Sequence, residues 1–446
     1  MMQTIILIIL SILLIVISTS RLSLHPFLAL MVACLFFGFG SGMAPEAIIQ
    51  TINAGFGETI GKIGIIIIAG IVIGAFLEQS GGAYALASQV LRVVGQKRVH
   101  LAMGVIGYIV SIPVFADSGF IILSSLNRAL AKEAGVSLAG TAISLSLGLT
   151  AAHTMVPPTP GPITAAGLVG ADLGIVILIG LYASTGALAV AVVFSKVFAG
   201  KVYIDPQPDL TSEKIKEKIR EAPSSMKSFL PILVPILLIV LRSVADYPTE
   251  PFGSGGVVDF ICFLGNPVTA LFIGVLLALL LPKKLDKSML STNGWVGDAL
   301  KTGAVIILIT GAGGAFGKIL QTSNIGEILG GFASDYRIGL WLPFIVAACI
   351  KSAQGSSTVA LTTTASIIAP LMLVLGMDTE IEKAMVVISI GAGSAVVSHA
   401  NDSFFWVVTQ MSGMNVSQGY RLQSVGTAVL GLSAMVLLTL LSFFIQ

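Results

Sequence analysis

Apolar runs of bilayer-spanning length recur along nearly the whole chain, and this recurrence limits most severely how it can fold. A transmembrane helix needs about 20 predominantly apolar residues. Such runs fall at approximately 3–19, 24–40, 62–80, 138–165, 172–194, 229–245, 259–281, 302–320, 383–410 and 421–444 of the 446 residues. Charged residues make up only 10% of the chain, against about 25% in a soluble domain. That is too few to coat a water-facing surface. The chain is therefore predicted to be an all-α polytopic membrane protein of about ten spans. Thr4–Ile17 reads as a first span rather than a leader, since no basic residue precedes it and no small-residue cleavage site comes before Arg21.

Two further apolar stretches, 101–130 and 339–372, do not fit a simple crossing. A straight helix of 30 residues would measure about 45 Å against a hydrocarbon core of about 30 Å. Each is also broken in the middle, by Pro113 with Asp117-Ser118-Gly119 in one and by Lys351 through Thr358 in the other. Lys97, Arg98, Arg128 and Lys132 bracket the first stretch, which places both its ends on the cytoplasmic side. Asp335, Asp378, Glu380 and Glu382 bracket the second, with Arg337 the one contrary charge, and place its ends outside. Two re-entrant hairpins from opposite faces follow, which membranes tolerate only where protein or a water-filled cavity surrounds them.

The halves of the chain repeat one order of features. Gly74 through Gly81 matches Gly317 through Asn324, each at the end of a span; a hairpin follows, then an interrupted span carrying His153 in one half and His399 in the other. With ten crossings and both termini outside, the first half runs opposite to the second, an inverted repeat of the kind found in secondary transporters. The expected organisation is scaffold spans at 1–60, a first repeat at 61–195, a charged cytoplasmic linker at 196–228, further scaffold spans at 229–300 and a second repeat at 301–446. Gly311-Ala312-Gly313-Gly314 suits close helix packing rather than a nucleotide loop, because no strand precedes it.

The chemistry concentrates at the breaks. Four prolines and a glycine within Pro157–Pro162 cannot continue a helix, so the backbone unwinds near 153–162 and frees amides and carbonyls to hold an ion or a carboxylate. A second break near 398–404 carries Ser398, His399, Asn401 and Asp402; ionisable groups inside a bilayer are costly and mark function by default. Hairpin tip one offers Asp117, Ser118 and Gly119; tip two offers Gln354, Gly355, Ser356, Ser357 and Thr358. Substrate-binding candidates are accordingly Ser118, Gly119, Thr154, Thr159, Gln354, Gly355, Ser356, Ser357, Thr358, Ser398 and Asn401. Proton-coupling candidates are Asp117, His153, His399 and Asp402. Lys351 either supplies positive charge to tip two or is a snorkelling or structural lysine, and Glu78 reads as an interfacial charge. Cys34, Cys262 and Cys349 read as buried small hydrophobes, so neither a metal nor another cofactor is expected, and no basic run suits nucleic acid.

The motifs Ala116-Asp117-Ser118-Gly119-Phe120, His153 with Pro157-Pro158-Thr159-Pro160-Gly161-Pro162, Lys351-Ser352-Ala353-Gln354-Gly355-Ser356 and Ser398-His399-Ala400-Asn401-Asp402 with Phe405-Trp406 resemble those of the gluconate permease (GntP) family, within the ion-transporter superfamily. The segment Val407 through Met414 differs from the Lys/Glu-containing continuation of well-known gluconate members. The resemblance implies a bacterial inner-membrane symporter that imports a small organic anion, gluconate or a related sugar acid, with protons. It also implies an elevator-like transport domain and a homodimer set among membrane lipid. Sodium coupling, and glycerate, hydroxybutyrate or D-serine as substrate, are the alternatives. A passive channel or an intramembrane hydrolase is more remote, the latter because no nucleophile–base motif is present.

Overall fold

The computed structural model describes residues 2–20, 22, 24–95, 98–206, 212–246, 251–253, 255–322, 339–373, 375–399 and 402–445. Several residues used above lie outside them: Arg21, Lys97, Ser323, Asn324, Asp335, Arg337, Ala400 and Asn401. Among the described residues every regular element is helical. The first half comprises α1 (Met2–Ser20), α2 (Pro26–Gly40), α3 (Pro45–Gln79), α4 (Gly82–Val94), α5 (Val99–Ser111), α6 (Ala116–Glu133), α7 (Leu138–Met155), α8 (Pro160–Val169), α9 (Leu173–Val197) and α10 (Ser212–Glu221). The second comprises α11 (Ser225–Ala245), α12 (Gly256–Leu264), α13 (Pro267–Ala278), α14 (Trp295–Thr322), α15 (Trp341–Gln354), α16 (Ser357–Ile368), α17 (Glu380–Ala395), α18 (Ser403–Met411), α19 (Val416–Gly419) and α20 (Val425–Ile445). Among the described residues, five helices are long and apolar enough to cross a bilayer, or six if the bent pair α12–α13 is one span.

Local signals account for most helix ends. Asp172 caps α9 by accepting from the Ile175 amide at 2.9 Å, and Thr379 with Glu382 forms a reciprocal capping box at the start of α17. Pro26, Pro45, Pro160 and Pro267 each open a helix, where a missing N–H costs nothing. Both hairpins are present, α5–α6 and α15–α16, as are both breaks, Val156–Thr159 between α7 and α8 and, among the described residues, 396–399 and Asp402 between α17 and α18.

Three boundaries differ from the sequence reading. The run at 62–80 is only the far half of α3, whose 35 residues begin at Pro45. Hydropathy marks where a helix is apolar, and nothing between Pro45 and Lys62 breaks it; Glu58 there pairs with Lys318 of α14 at 3.1 Å. The run at 259–281 is bent by 61°, with Asn266 accepting from the Val268 amide to restart the chain as α13. In the first break only Pro157 and Pro158 are unwound, because Pro160 and Pro162 sit in the first turn of α8, where they fit. The cysteines differ as well: Cys34 is buried, Cys262 is half-buried and Cys349 is exposed.

The two halves interlock. α3 and α14 pack along each other at small residues, since a methyl group on Gly314 would stand 1.9 Å from the Thr59 hydroxyl oxygen. The returning arm of each hairpin packs on the far half of the other repeat's broken helix: α6 on α18, and α16 on α8. α9 and α20, which follow the broken helices, also pack together. This reciprocity is the contact pattern that an inverted repeat requires, and it brings both tips, α7 and the second break around one cavity.

Candidate functional site

The two hairpins and the two broken helices enclose a cavity of about 280 Å³. Tip one enters it through Phe115, Ala116 and Asp117, with Asp117 in the first turn of α6. Tip two is made by Gly355, whose φ of +88° lies in the left-handed region that glycine adopts without strain. Ser356 then caps α16 by accepting from the Val359 amide at 3.3 Å. Thr150 and His153 of α7, with Ala395, Ser398, Asp402, Ser403 and Phe404 around the second break, complete the wall.

A buried ion pair organises this cavity. Lys351, on the last turn of α15, is 2% exposed; its Nζ donates to Asp402 Oδ2 at 2.7 Å and to the Gly355 carbonyl. Asp402 also accepts from the Ser398 hydroxyl at 2.5 Å and, through Oδ1, from the Phe404 amide at 3.0 Å. Burying either charge alone would cost several kcal/mol, so the pair is held by mutual need and by these extra donors. At Ser398 the unwound backbone is satisfied from α20 and the π-turn before it: Thr427 accepts from the Ser398 amide at 3.0 Å, and Ser424 donates to the Ser398 carbonyl.

Asp117 completes the charge pattern from the other repeat. It accepts a long bond from the Ser403 hydroxyl, 3.4 Å, and has no basic partner within salt-bridge distance among the described residues. Two polar atoms in the lining, His153 Nδ1 and Gln354 Nε2, are buried without a hydrogen-bond partner among the described residues. Such groups are uncommon in native structures, and here both border a cavity able to hold a ligand.

Nine of the sequence candidates share this lining: Asp117, His153, Gln354, Gly355, Ser356, Ser357, Thr358, Ser398 and Asp402. Others lie elsewhere. Gly119 packs on Leu149, Thr154 donates to the Thr150 carbonyl at 3.0 Å and Thr159 to the Val156 carbonyl at 2.7 Å. The Nε2 of His399 meets the Ser352 carbonyl at 2.8 Å and pins the end of α15. Ser118 turns away into a second cavity, which Glu78 also lines. Sequence reasoning left Lys351 undecided and did not find Thr150 or Ser403. The available signal for Lys351 was a single lysine in the middle of an apolar hairpin; the two hydroxyls carry none, being ordinary residues of helical segments.

The profile of the GntP family permeases matches residues 3–444. The chain belongs to this family. It is 33% identical over 440 residues to a gluconate permease of Pseudomonas aeruginosa, covering 95% of this chain and 94% of that one. It is 31% identical to the D-serine transporter DsdX of Escherichia coli, with 98% and 97% covered, and 30% identical to a low-affinity gluconate transporter of the same species, with 94% of each covered. Among solved structures, the Alcanivorax borkumensis YdaH transporter aligns with a TM-score of 0.66 at 14% identity, over 94% of this chain and 98% of that one. Neisseria gonorrhoeae MtrF, described as representing a class of antimetabolite efflux pumps, aligns at 0.67 and 14%, over 95% and 96%. At that identity the likeness shows the fold alone. This family member is a multi-pass membrane transporter, and the cavity between its tips and breaks is the natural place to look for its substrate site.

Proposed function

We propose that this permease imports a small hydroxy-carboxylate, gluconate or a related sugar acid, in symport with a proton. In this reading the substrate carboxylate is drawn to Lys351 while Ser356, Thr358, Thr150 and Ser403 meet its hydroxyls. Gln354 Nε2 supplies a donor, and His153 Nδ1 a donor or an acceptor according to its tautomer, neither with a protein partner among the described residues. The names of the relatives support the substrate class, and the hydroxyl-rich lining supports a polyol chain over an apolar one.

The charge pattern of the cavity carries the coupling. Lys351 and Asp402 cancel, which leaves Asp117 as the excess charge, and a bound anion adds a second negative charge beside it. Two like charges about 4 Å apart repel by about 4 kcal/mol at an effective dielectric constant of about 20. A proton on Asp117 removes that repulsion, so proton and anion each favour the other's binding. The reciprocal packing of hairpins on broken helices supports a further reading, in which these elements move as one transport domain against the remaining spans.

Uptake into proteoliposomes tests the coupling. A pH gradient without sodium is expected to drive accumulation of gluconate; accumulation only on adding a sodium gradient would replace the proton with sodium. A thermal-shift screen of the purified protein against sugar acids, glycerate, hydroxybutyrate and D-serine tests the substrate. Stabilisation by D-serine alone would overturn the sugar-acid assignment.

A further inference from the structure

A second cavity, of about 220 Å³, lies behind hairpin tip one. Its lining includes Glu78 and Gln79 at the end of α3, Ser118 on α6, and Trp295, Asp298 and Thr302 at the start of α14. Phe115 lines this cavity and the substrate cavity alike, so the tip is the wall between them. The consecutive residues Asp117 and Ser118 face opposite sides of that wall: Asp117 the substrate cavity, Ser118 the second one.

α3 is pressed against this wall with nothing between. A methyl group on Gly74 would stand 2.2 Å from the Pro113 carbonyl oxygen, and Glu78 follows one turn later. There Ser118 and Glu78 line the same cavity. Among the described residues the facing charges give Glu78 no counter-ion within salt-bridge distance. From α14 comes Asp298, already paired with Lys301 at 2.9 Å; from α6 comes Asp117, through the wall; α4, α11 and α13 place no charged side chain in the lining. Beyond the wall Lys351 is committed to Asp402. A half-buried carboxylate in this position is set to exchange a proton rather than to hold a salt bridge.

We propose that Glu78 is a second proton-carrying carboxylate, which takes the coupling proton from Asp117 into the second cavity. This rests on the proton-symport reading above. One proton moves: Asp117 passes from acid to carboxylate and Glu78 from carboxylate to acid, with Ser118 beside Glu78 on the far side of the wall. The second cavity lies at the end of α3 and α14 nearest Arg92 and Lys283, the end that the positive-inside rule assigns to the cytoplasm. Proton and substrate therefore leave by separate routes, one behind the tip and one in front of it.

Two assays on the full-length protein in proteoliposomes separate this role from a structural one. They are net uptake driven by a pH gradient, and counterflow exchange at equal pH, which needs no net proton movement. The probe is labelled gluconate, or D-serine if gluconate gives no counterflow. Glu78→Gln is expected to lower pH-driven uptake at least tenfold while exchange stays within twofold of wild type. Glu78→Asp, which keeps the carboxyl group, is expected to restore most of the uptake. Asp298→Asn is expected to leave both within twofold. Wild-type uptake by Glu78→Gln would overturn the proposal, as would loss of exchange in both Glu78 variants, which would mark a packing role. Wild-type protein that accumulates probe only under a sodium gradient would instead remove the proton reading itself, and this proposal with it.

Discussion

Lys351 Nζ lies 2.7 Å from Asp402 Oδ2, and both side chains are almost fully buried at the meeting of hairpin tip two and the second broken helix. Residues 51 positions apart thus form one neutral unit, which ties tip two to the break. Because the pair is neutral as a whole, Asp117 is left as the carboxylate in the cavity lining without a basic partner among the described residues.

Breaking the pair from one side should destabilise the protein more than removing both members. Lys351→Met leaves Asp402 buried and unpaired, at a cost of about 3–5 kcal/mol, whereas Lys351→Met with Asp402→Asn should recover much of that loss. Neither is expected to transport. Thermal unfolding in detergent, read beside uptake, checks both; equal stability of the single and double variants would show that the pair does not carry the fold.

Under the proposed proton symport, Asp117 is expected to govern the pH response. Binding an anion beside it favours its protonated form, so wild-type affinity should rise as pH falls and weaken as pH rises. Asp117→Asn is fixed in the neutral state, and its affinity should be flat over the same range while exchange persists. Titrating ligand by thermal shift at several pH values measures this, and a slope as steep as that of wild type would place the coupling proton elsewhere.

Gln354 and His153 are expected to matter for ligand and not for fold. Because Gln354 Nε2 and His153 Nδ1 have no protein partner among the described residues, replacing either removes no internal hydrogen bond, and apolar replacement of a buried unsatisfied group is neutral or stabilising. Gln354→Leu and His153→Phe should keep or raise the melting temperature without ligand, and weaken substrate binding about tenfold, equivalent to ~1.4 kcal/mol. A large fall in melting temperature would show a structural duty instead.

The α3–α14 crossing distinguishes two glycines. Gly314→Ala must displace Thr59 and should cost about 1–3 kcal/mol. Gly57→Ala, on α3 like Thr59 but on a face where an added methyl group meets nothing within 4 Å, should be neutral or stabilising by up to about 1 kcal/mol. Comparing their unfolding temperatures checks the packing directly.

The hairpins and breaks were legible because their signals are local. A polar tip inside an apolar run, or prolines in succession, act on the backbone within a few residues, and their effect does not depend on what packs against them. Candidate site residues such as Asp117 and Asp402 were legible for a related reason, since a carboxylate at membrane depth stands out against apolar neighbours. What each polar group bonds to was not legible. His399 looked like the partner of His153 in the repeat, yet its ring holds the Ser352 carbonyl, while Glu78 looked interfacial and lies against tip one. A cap chosen one residue earlier or later, or an apolar run that continues as helix past its polar end, moves a side chain to another face without changing the composition.

By itself the sequence determined a helical membrane protein with two opposed hairpins and two broken helices, because apolar length and backbone breakers are properties of short segments. Only the tertiary structure decided that Lys351 neutralises Asp402, that Asp117 meets Ser403 from 286 residues away, and that Glu78 and Asp117 stand on opposite sides of one wall. Those relationships depend on how the two halves interlock, and in a low-dielectric interior it is the partner a charge finds, not the charge alone, that sets what it can do.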